Sequence, residues 1–334
     1  MKKKFSLFLV LVLVLAFSQV TGCQNKGDAS DLTPVTLSEV AHSIFYAPMY
    51  VAIEKGYFKE EGIDLTLVNS AGADNVMTAL ISGEADIGFM GSEASIYVYA
   101  QGQEDYMVNF AQLTQRAGNF LVARENAESF DWADLRGKSV LGGRAGGMPQ
   151  MVFEYILKKN GIDPSEIQID QSIAFGNTAA AFIGSDAYDY TVEFEPFATS
   201  LEQEGEGYVI ASLGEASGYV PYTAYCAQKS YMEANAEIIQ KFTNAIQKGL
   251  DYVNSHSAEE IAKEIQPQFA ETSEEALIAI ISRYQAQDTW KGDTVFEESS
   301  FTLLQNILEE AGELTERVPY QDLVTTKFSE AALP

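Results

Sequence analysis

A strand-like stretch, a helix-like stretch and a second strand-like stretch follow one another near the start of the chain, and this order constrains the fold most. Residues 35–40, VTLSEV, have strand composition, and residues 63–68, IDLTLV, alternate with a period of two. Between them, residues 42–58 form a polar and aromatic loop that leads into a helix, with Pro48 at the tolerated first turn. The pattern predicts a βαβ unit. Because ligands of open α/β sheets sit at the carboxyl ends of strands, we expect residues 42–48 to form one wall of a ligand cleft.

The N-terminal residues have the regions of a secretory signal. Three lysines precede an apolar run over 5–17, which is too short to span a bilayer with these flanks. The sequence VTGC at 20–23 resembles a bacterial lipoprotein cleavage site. This resemblance implies a signal peptide over 1–22, a lipidated tether over 23–34 and an anchor at Cys23 on the outer face of the cytoplasmic membrane. The alternatives are an exported protein cleaved elsewhere and an uncleaved anchor.

Cysteine content and charge limit the possible partners. Cys23 and Cys226 are the two cysteines, so lipidation of Cys23 would leave no intrachain disulfide. The full chain carries 48 acidic and 21 basic side chains, a formal net charge of −27. An acidic surface of this size argues against nucleic acid and anionic lipid as partners, although local geometry can still accommodate an anionic ligand. We expect a monomer.

Strand-like and helix-like stretches continue to alternate along most of the chain, and long amphipathic helices follow from Tyr231. The pattern predicts an α/β fold of two lobes around a ligand cleft, joined by two crossings near 123–130 and 217–228. The predicted boundaries are 35–123 and 226–334 for lobe 1 and 124–225 for lobe 2. Such lobes close on a ligand by hinge motion at the crossings.

Four stretches also match family motifs in order along the chain. They are YAPMYVAIEKGYFKEEGIDLTL (46–67), SGEADIG (82–88), DLRGKSV (134–140) and DAYDYTVEFEPFA (186–198). Together they resemble the nitrate/sulfonate/taurine and thiamine-pyrimidine group of ABC-transporter solute-binding proteins. The resemblance implies a type II periplasmic-binding-protein fold, a small-molecule ligand between the lobes, and delivery to a membrane permease with a separate ATPase. The chain departs from the group at Phe194, where many members have tryptophan, and this leaves the aromatic wall of lobe 2 open.

Three loops that follow predicted strands carry the candidate ligand contacts of lobe 1. Aromatic rings there can stack on a planar ligand, polar atoms can orient it, and a carboxylate facing the cleft selects an amine or ring N–H. The same residues could instead serve turns, helix packing and N-caps. The candidates are His42, Ser43, Phe45 and Tyr46 in the first loop, Ser70 and Gly72 in the second, and Ser92 and Glu93 in the third.

Lobe 2 carries a glycine-rich turn before a predicted helix, GGRAGGMPQ at 142–150. It lacks the Lys-Ser/Thr of a phosphate-binding loop, so Arg144, Gly146 and Gly147 are candidates for a small anion or carbonyl site, or for a solvent-exposed turn.

Two further candidates come from predicted strands of lobe 2. Glu193 and Glu195 alternate across a strand end, so only one of them can face the cleft, and we expect Glu195. Tyr222 is a candidate for the hinge side of the pocket, although strand tyrosines are often core residues.

The sequence offers little for catalysis. His42 and His256 are the two histidines, and no H-E-x-x-H, paired-cysteine or G-x-S-x-G motif occurs. We therefore predict no metal site, no cofactor and no enzymatic activity. A pyrimidine synthase of similar fold relies on a cysteine- and histidine-rich site that this chain lacks. The predicted ligand is a flat heterocycle with N–H groups, such as a thiamine-pyrimidine precursor. The alternatives are a sulfonate, taurine or nitrate, and an enzyme or ligand sensor on the same fold.

Overall fold

The computed structural model describes residues 32–173 and 176–333. The predicted signal peptide, Cys23 and most of the predicted tether lie outside these residues. Within the described part of the chain, no helix is both long and apolar enough to cross a bilayer.

The first of two five-stranded sheets contains the predicted βαβ unit. Its strands are β1 (Thr33–Glu39), β2 (Ile63–Asn69), β3 (Ile87–Met90), β4 (Met107–Thr114) and β10 (Thr223–Gln228). Their order is β2-β1-β3-β10-β4. Strand β1 runs parallel to β2 and β3, and β10 runs antiparallel to β3 and β4. The loops after β1, β2 and β3 therefore leave from one edge of the sheet, as the sequence predicts.

The second sheet has the order β7-β6-β8-β5-β9. Its strands are β5 (Asn119–Ala123), β6 (Ser139–Leu141), β7 (Gln168–Asp170), β8 (Tyr190–Phe194) and β9 (Tyr208–Ser212). The chain passes into this sheet between β4 and β5 and returns between β9 and β10. Residues 119–123, which the sequence analysis assigns to lobe 1, thus form an interior strand of the sheet in lobe 2, because β5 pairs antiparallel with β8 and β9.

Helices cover both sheets and extend to the C-terminus. Those in the first lobe are α1 (Ala47–Glu54), α2 (Tyr57–Glu60), α3 (Ala73–Ser82) and α4 (Glu93–Ala100). Those in the second lobe are α5 (Met148–Lys159), α6 (Thr178–Ile183), α7 (Phe197–Glu204) and α8 (Leu213–Ser217). The remaining helices are α9 (Lys229–Ala234), α10 (Ala236–Ser255), α11 (Ala258–Ile265), α12 (Glu274–Ala286), α13 (Glu298–Ala311), α14 (Tyr320–Leu323) and α15 (Lys327–Ala331). Short 3₁₀ turns occur at Ile44–Tyr46, Trp132–Leu135, Pro164–Glu166 and Gln266–Phe269.

Helix α10 packs closely against α1 on the first lobe. A Cβ at Gly249 would lie 2.2 Å from the carbonyl oxygen of Pro48, so only glycine permits this approach. Beneath these helices, the ring of Tyr225 stacks on Phe89 at 4.3 Å between centroids and meets the ring of Phe242 at 5.2 Å. This packing joins the C-terminal helices to the sheet and fixes the loops that leave it.

Candidate ligand-binding site

A cavity of about 130 Å³ lies between the two sheets. Its wall on the first lobe comes from the loops that follow β1, β2 and β3, including Ala41, Gly72 and Gly91. Its wall on the second lobe comes from the start of α5 at Met148 and the end of β8 at Phe194. The cavity therefore occupies the carboxyl ends of strands in both lobes, where ligands of α/β sheets bind.

The structure brings together about half of the candidate residues. The candidates that line the cavity are Tyr46, Gly72, Glu93, Arg144, Gly146, Gly147 and Tyr222. The candidates that do not line it are His42, Ser43, Phe45, Ser70, Ser92 and Glu195. Each residue of the second set has a structural contact that accounts for its position.

Glu93 is the most unusual residue of the cavity wall. Its side chain is only 3% exposed, and its Oε2 atom has no hydrogen-bond partner among the described residues. Burial raises the pKa of Glu93 to about 7, and the nearby N–H groups of Glu93 itself and of Met148 partly offset this rise. The carboxyl lies directly above Gly91, where a Cβ would be 2.1 Å from Oε2. The site therefore offers a buried carboxyl that can accept a hydrogen bond from a ligand.

Two more buried polar groups near the cavity lack partners within the described chain. The Tyr222 hydroxyl is one, and the side-chain amide of Asn119 is the other, with neither its nitrogen nor its oxygen bonded. Asn119 is fully buried and lies directly opposite Phe194 in the antiparallel β5–β8 pair. Directly opposed residues share one face of a sheet, so Asn119 lies on the face from which Phe194 reaches the cavity. Buried polar atoms are nearly always satisfied, and a ligand or water is the usual partner where protein supplies none.

The sequence analysis does not include Asn119 among the candidate residues. The only available indication was one polar residue at the start of the apolar run FLVA.

Aromatic rings form much of the cavity wall. Tyr46, Phe194 and Tyr222 line it directly. Phe45 lies behind them, with ring centroids 5.8 Å from Phe194 and 5.7 Å from Tyr222. It packs on Gly118, where a Cβ would be 2.4 Å from the ring. The predicted contact by Phe45 is therefore replaced by support of the rings that line the cavity, and Phe194 supplies an aromatic wall without tryptophan.

Ser43 and His42 anchor the first loop from outside the cavity. The Ser43 hydroxyl donates to the backbone carbonyl of Glu195, in the other lobe, at 3.0 Å. His42 Nδ1 lies 2.9 Å from Glu39 Oε1, and its Nε2 lies 2.9 Å from the carbonyl oxygen of Gln268. The hydrogen bond with Glu39 raises the pKa of His42. Both candidates hold the loop in place rather than line the cavity.

Ser70 and Ser92 likewise hold the other two loops. The two hydroxyls of Ser38 and Ser70 are 2.7 Å apart, and Ser92 Oγ donates to the carbonyl of Pro221 at 3.1 Å. Both hydroxyls therefore hold the loops in place, which is the alternative to direct ligand contact given in the sequence analysis.

The predicted placement of Glu195 in the cleft requires correction. Alternation along β8 places Phe194 at the cavity, so both neighbouring glutamates point elsewhere. The Glu195 carboxylate accepts hydrogen bonds from the Thr199 backbone N–H at 2.9 Å and from Arg283 at 2.6 Å. Glu193 accepts from Thr191 and Thr178 and is buried within lobe 2.

Two contacts close the cavity between the lobes. Arg144, on the glycine-rich turn of lobe 2, forms an ion pair with Asp74 in the first turn of α3. Tyr97 of α4 donates from its hydroxyl to the carbonyl of Gly146 at 3.2 Å. Asp74 and Tyr97 were not predicted, because nothing in their local sequence indicates a partner in the other lobe.

These features define the class of fold, which is the periplasmic-binding-protein fold with a ligand cavity between two α/β lobes. The structure is similar to the nitrate-binding protein NrtA of Synechocystis PCC 6803, with a TM-score of 0.75, 15% identity, and coverage of 90% of this chain and 88% of that one. It is also similar to the alkanesulfonate-binding protein SsuA of Xanthomonas axonopodis pv. citri, with a TM-score of 0.71, 16% identity, and coverage of 89% and 99%.

Sequence comparison defines the family more narrowly. The family model described as NMT1/THI5 like matches residues 44–260, so the chain belongs to the NMT1/THI5-like family. It is 48% identical over 300 residues, and 90% of each chain, to YtlA of Bacillus subtilis (strain 168), whose name gives it an inferred role as a binding protein. It is 24% identical over 227 residues to the 4-amino-5-hydroxymethyl-2-methylpyrimidine phosphate synthase of Aspergillus parasiticus, covering 64% of each chain.

Proposed function

We propose that this protein is the solute-binding component of an ABC importer and that its ligand is a small, single-ring nitrogen heterocycle of the thiamine-pyrimidine type. The observation that carries the proposal is the buried carboxyl of Glu93, one oxygen of which has no partner among the described residues, in a cavity walled by aromatic rings. The ligand would be held between the lobes and released unchanged to a permease.

The cavity volume limits the size of the ligand. At about 130 Å³ it is close to the roughly 150 Å³ of an engineered cavity that binds benzene. One substituted six-membered ring fits this space, whereas a fused ring system such as a flavin does not. Among flat heterocycles, the volume therefore favours a single ring, such as a pyrimidine, over a fused ring system.

The polar groups complement an aminopyrimidine. An exocyclic amine or ring N–H can donate to Glu93, and the Tyr222 hydroxyl and Asn119 amide offer both donors and acceptors for the ring nitrogens and a substituent. The rings of Tyr46 and Phe194 can contact the faces of a planar ligand. A ligand without N–H or O–H donors would leave the ionised form of Glu93 buried and unpaired.

An oxyanion ligand is less compatible with these charges. The Arg144 guanidinium is already paired with Asp74, and the N–H of Met148 at the start of α5 already faces the Glu93 carboxyl. Above about pH 7, where Glu93 is mostly ionised, a sulfonate or nitrate would therefore meet a buried carboxylate in the cavity, which is repulsive.

Binding without turnover is the simpler proposal for this cavity. Among the residues that the structure describes, neither a histidine nor a cysteine lines it. His42 lies outside the cavity wall, and Cys226 is buried with a pKa raised to about 12. Within the described residues, no cluster of histidine, cysteine, aspartate or glutamate could hold a metal ion.

Calorimetric titration of Glu93→Gln tests the ligand class. The ligands are 4-amino-5-hydroxymethyl-2-methylpyrimidine, ethanesulfonate and nitrate. We expect the wild type to bind the pyrimidine and Glu93→Gln to bind it at least ~10-fold more weakly, because a charge-assisted hydrogen bond is worth about 1.5–3 kcal/mol. Glu193→Gln is the matched control, since Glu193 is another buried carboxyl with a pKa of about 7, outside the cavity.

The pH dependence gives a second measure. Because the pKa of Glu93 is about 7, its acceptor form increases as the pH rises from about 6 to about 8, and affinity should increase with it only when Glu93 is present. Binding of ethanesulfonate or nitrate that survives Glu93→Gln and is lost in Arg144→Ala would instead establish an oxyanion-binding protein.

We also propose that Cys23 carries the lipid anchor. Expression of the full chain with Cys23→Ser should move the protein from the membrane fraction to a soluble extracytoplasmic fraction, and metabolic labelling with a fatty acid should be lost. Retention of the label in Cys23→Ser would contradict this proposal.

A further inference from the structure

A second cavity, of about 430 Å³, shares no lining residue with the ligand cavity. It lies beside the end of β4, between the passages that join the lobes and the start of α13. Gln115 and Val220, one from each passage, both line it, and the Val220 N–H donates to the Gln115 carbonyl at 2.8 Å. The cavity is therefore next to the hinge.

One part of this cavity is positive. Lys291 lines it and is only 9% exposed, yet its ammonium makes no hydrogen bond to the described residues, and its ion-pair partner, Asp293 Oδ1, is 3.9 Å away. Ser299 and Ser300, in the first turn of the 14-residue helix α13, also line it. The residue before the helix, Glu297, makes no side-chain capping bond, so the first N–H groups of α13 remain available to an anion.

The other part of the cavity requires a hydrogen-bond donor. Gln112 is 1% exposed, and its Nε2 donates to the Thr114 carbonyl at 2.9 Å. Its Oε1 has no partner within the described chain, although Gln112 lines the cavity. Glu297 lines the same cavity, and its carboxylate accepts a hydrogen bond from the Ser299 hydroxyl at 3.4 Å. An unpartnered acceptor and a carboxylate together suit an ammonium group.

We infer that this second cavity binds a small zwitterion of the α-amino-acid class. The carboxylate of the ligand would pair with Lys291 and the first N–H groups of α13, and its ammonium with Gln112 Oε1 and Glu297. A simple anion would leave the Gln112 acceptor unpaired and would face Glu297. A simple cation would face Lys291. A ligand that carries both charges and N–H donors satisfies every group.

The inference does not depend on the ligand proposed for the cavity between the lobes. The probes are the twenty standard L-amino acids, each added separately to the full chain and measured by saturation-transfer NMR, followed by calorimetry of any that bind. Glycine betaine and acetate are the matched controls. Glycine betaine keeps both charges but has no N–H donor, and acetate lacks the ammonium. We expect at least one amino acid to bind and both controls to fail.

Substitutions test whether the amino acid binds in the second cavity. Lys291→Met and Glu297→Gln should each weaken the amino acid at least ~5-fold, whereas Glu298→Gln, next along α13 and outside the cavity lining, should leave affinity within ~2-fold. Glu297 is exposed, so its variant tests the inference even if Lys291→Met does not fold. Absence of binding by all twenty amino acids, equal binding of acetate, or loss of binding in Glu93→Gln but not in Glu297→Gln would overturn the inference.

Discussion

Arg283 of α12 links the two lobes through an ion pair whose loss should have a large and pH-dependent effect on stability. Its guanidinium donates to Glu195 at 2.6 Å and to Glu202 at 2.8 Å. Glu195 is fully buried as a side chain, whereas Arg283 and Glu202 are about one third exposed. Arg283→Met keeps the apolar stem and removes the guanidinium, together with its cation–π contact at 5.2 Å from the centroid of the Phe120 ring.

The magnitude follows from the burial of Glu195. Removal of one partner from a buried ion pair costs about 3–5 kcal/mol. We expect about 3 kcal/mol, at the low end, because Glu195 keeps its bonds from the Thr199 backbone and hydroxyl. The pair with Glu202 is partly solvated and adds less than about 1 kcal/mol. With an unfolding entropy of about 2 cal/mol/K per residue, a chain of this length should lose about 5 °C in Tm.

The sign of the pH dependence follows from the pKa of Glu195. Burial raises this pKa, and the charge of Arg283 lowers it, so Arg283→Met should raise it further. A carboxyl with a raised pKa in the folded state stabilises the fold most when it is protonated, and this stability is lost as the pH rises from the unfolded pKa through the folded one. The destabilisation by Arg283→Met should therefore be greater at pH 8 than at pH 5.

Urea unfolding of wild type and Arg283→Met at both pH values measures these quantities. Arg136→Met is the matched control, because Arg136 pairs with Glu166 at 2.8 Å but both side chains are more than 40% exposed. It should cost less than about 1 kcal/mol. If Arg283→Met costs no more than the control at both pH values, the argument from burial is refuted.

Three further predictions concern single positions. Gly91→Ala places a Cβ 2.1 Å from Glu93 Oε2, at the end of a flexible side chain, so the carboxyl should shift and ligand binding should weaken. Gly292→Ala, whose Cβ would have nothing within 4 Å, should leave ligand binding unchanged, and calorimetry checks both variants. The pKa of His42 is raised in the fold, so its stabilising contribution is present below the unfolded pKa of about 6.5 and is lost as the pH rises. In urea unfolding, the difference in unfolding free energy between wild type and His42→Gln should therefore shrink from about pH 6 to about pH 9. A difference that stays constant would contradict this. Asn119→Leu removes two buried atoms that lack partners among the described residues. The Tm measured without ligand should therefore stay the same or rise, while pyrimidine binding should weaken. A clear loss of Tm would mean that the amide has a structural role.

Local sequence predicts much of the first lobe because its order follows from periodicity. The period-two pattern of residues 63–68 and the helical pattern after Pro48 give β2 and α1. Of the loop between β1 and α1, which is predicted to form one wall of the cleft, Tyr46 lines the cavity, whereas His42, Ser43 and Phe45 do not. Glu93 and Tyr46 could be predicted for the same reason, since each lies in or directly after a loop that leaves the carboxyl end of a strand.

Local sequence does not show which distant segments of the chain pair with each other, and this pairing determines the positions of residues 119–123 and Glu195. Residues 119–123 have the composition of a strand, but their assignment to the second sheet depends on pairing with β8 and β9. Glu195 has the residue type and position of a ligand contact, yet its carboxylate is held by Arg283, 88 residues further along the chain. No period or motif around either residue indicates that pair.

The unpartnered polar atoms also explain how the cavity could discriminate between ligands. Glu93 Oε2, the Tyr222 hydroxyl and the Asn119 amide are buried and have no hydrogen-bond partner among the described residues. A ligand with matching groups gains these hydrogen bonds without a further desolvation cost from the protein. A ligand of the same shape without them leaves the atoms unpaired, and such a mismatch is penalised far more than a missing methylene. Selectivity would therefore come from hydrogen-bonding pattern rather than from shape alone, which is why Glu93→Gln should change affinity more than any substitution in the aromatic wall that preserves its volume.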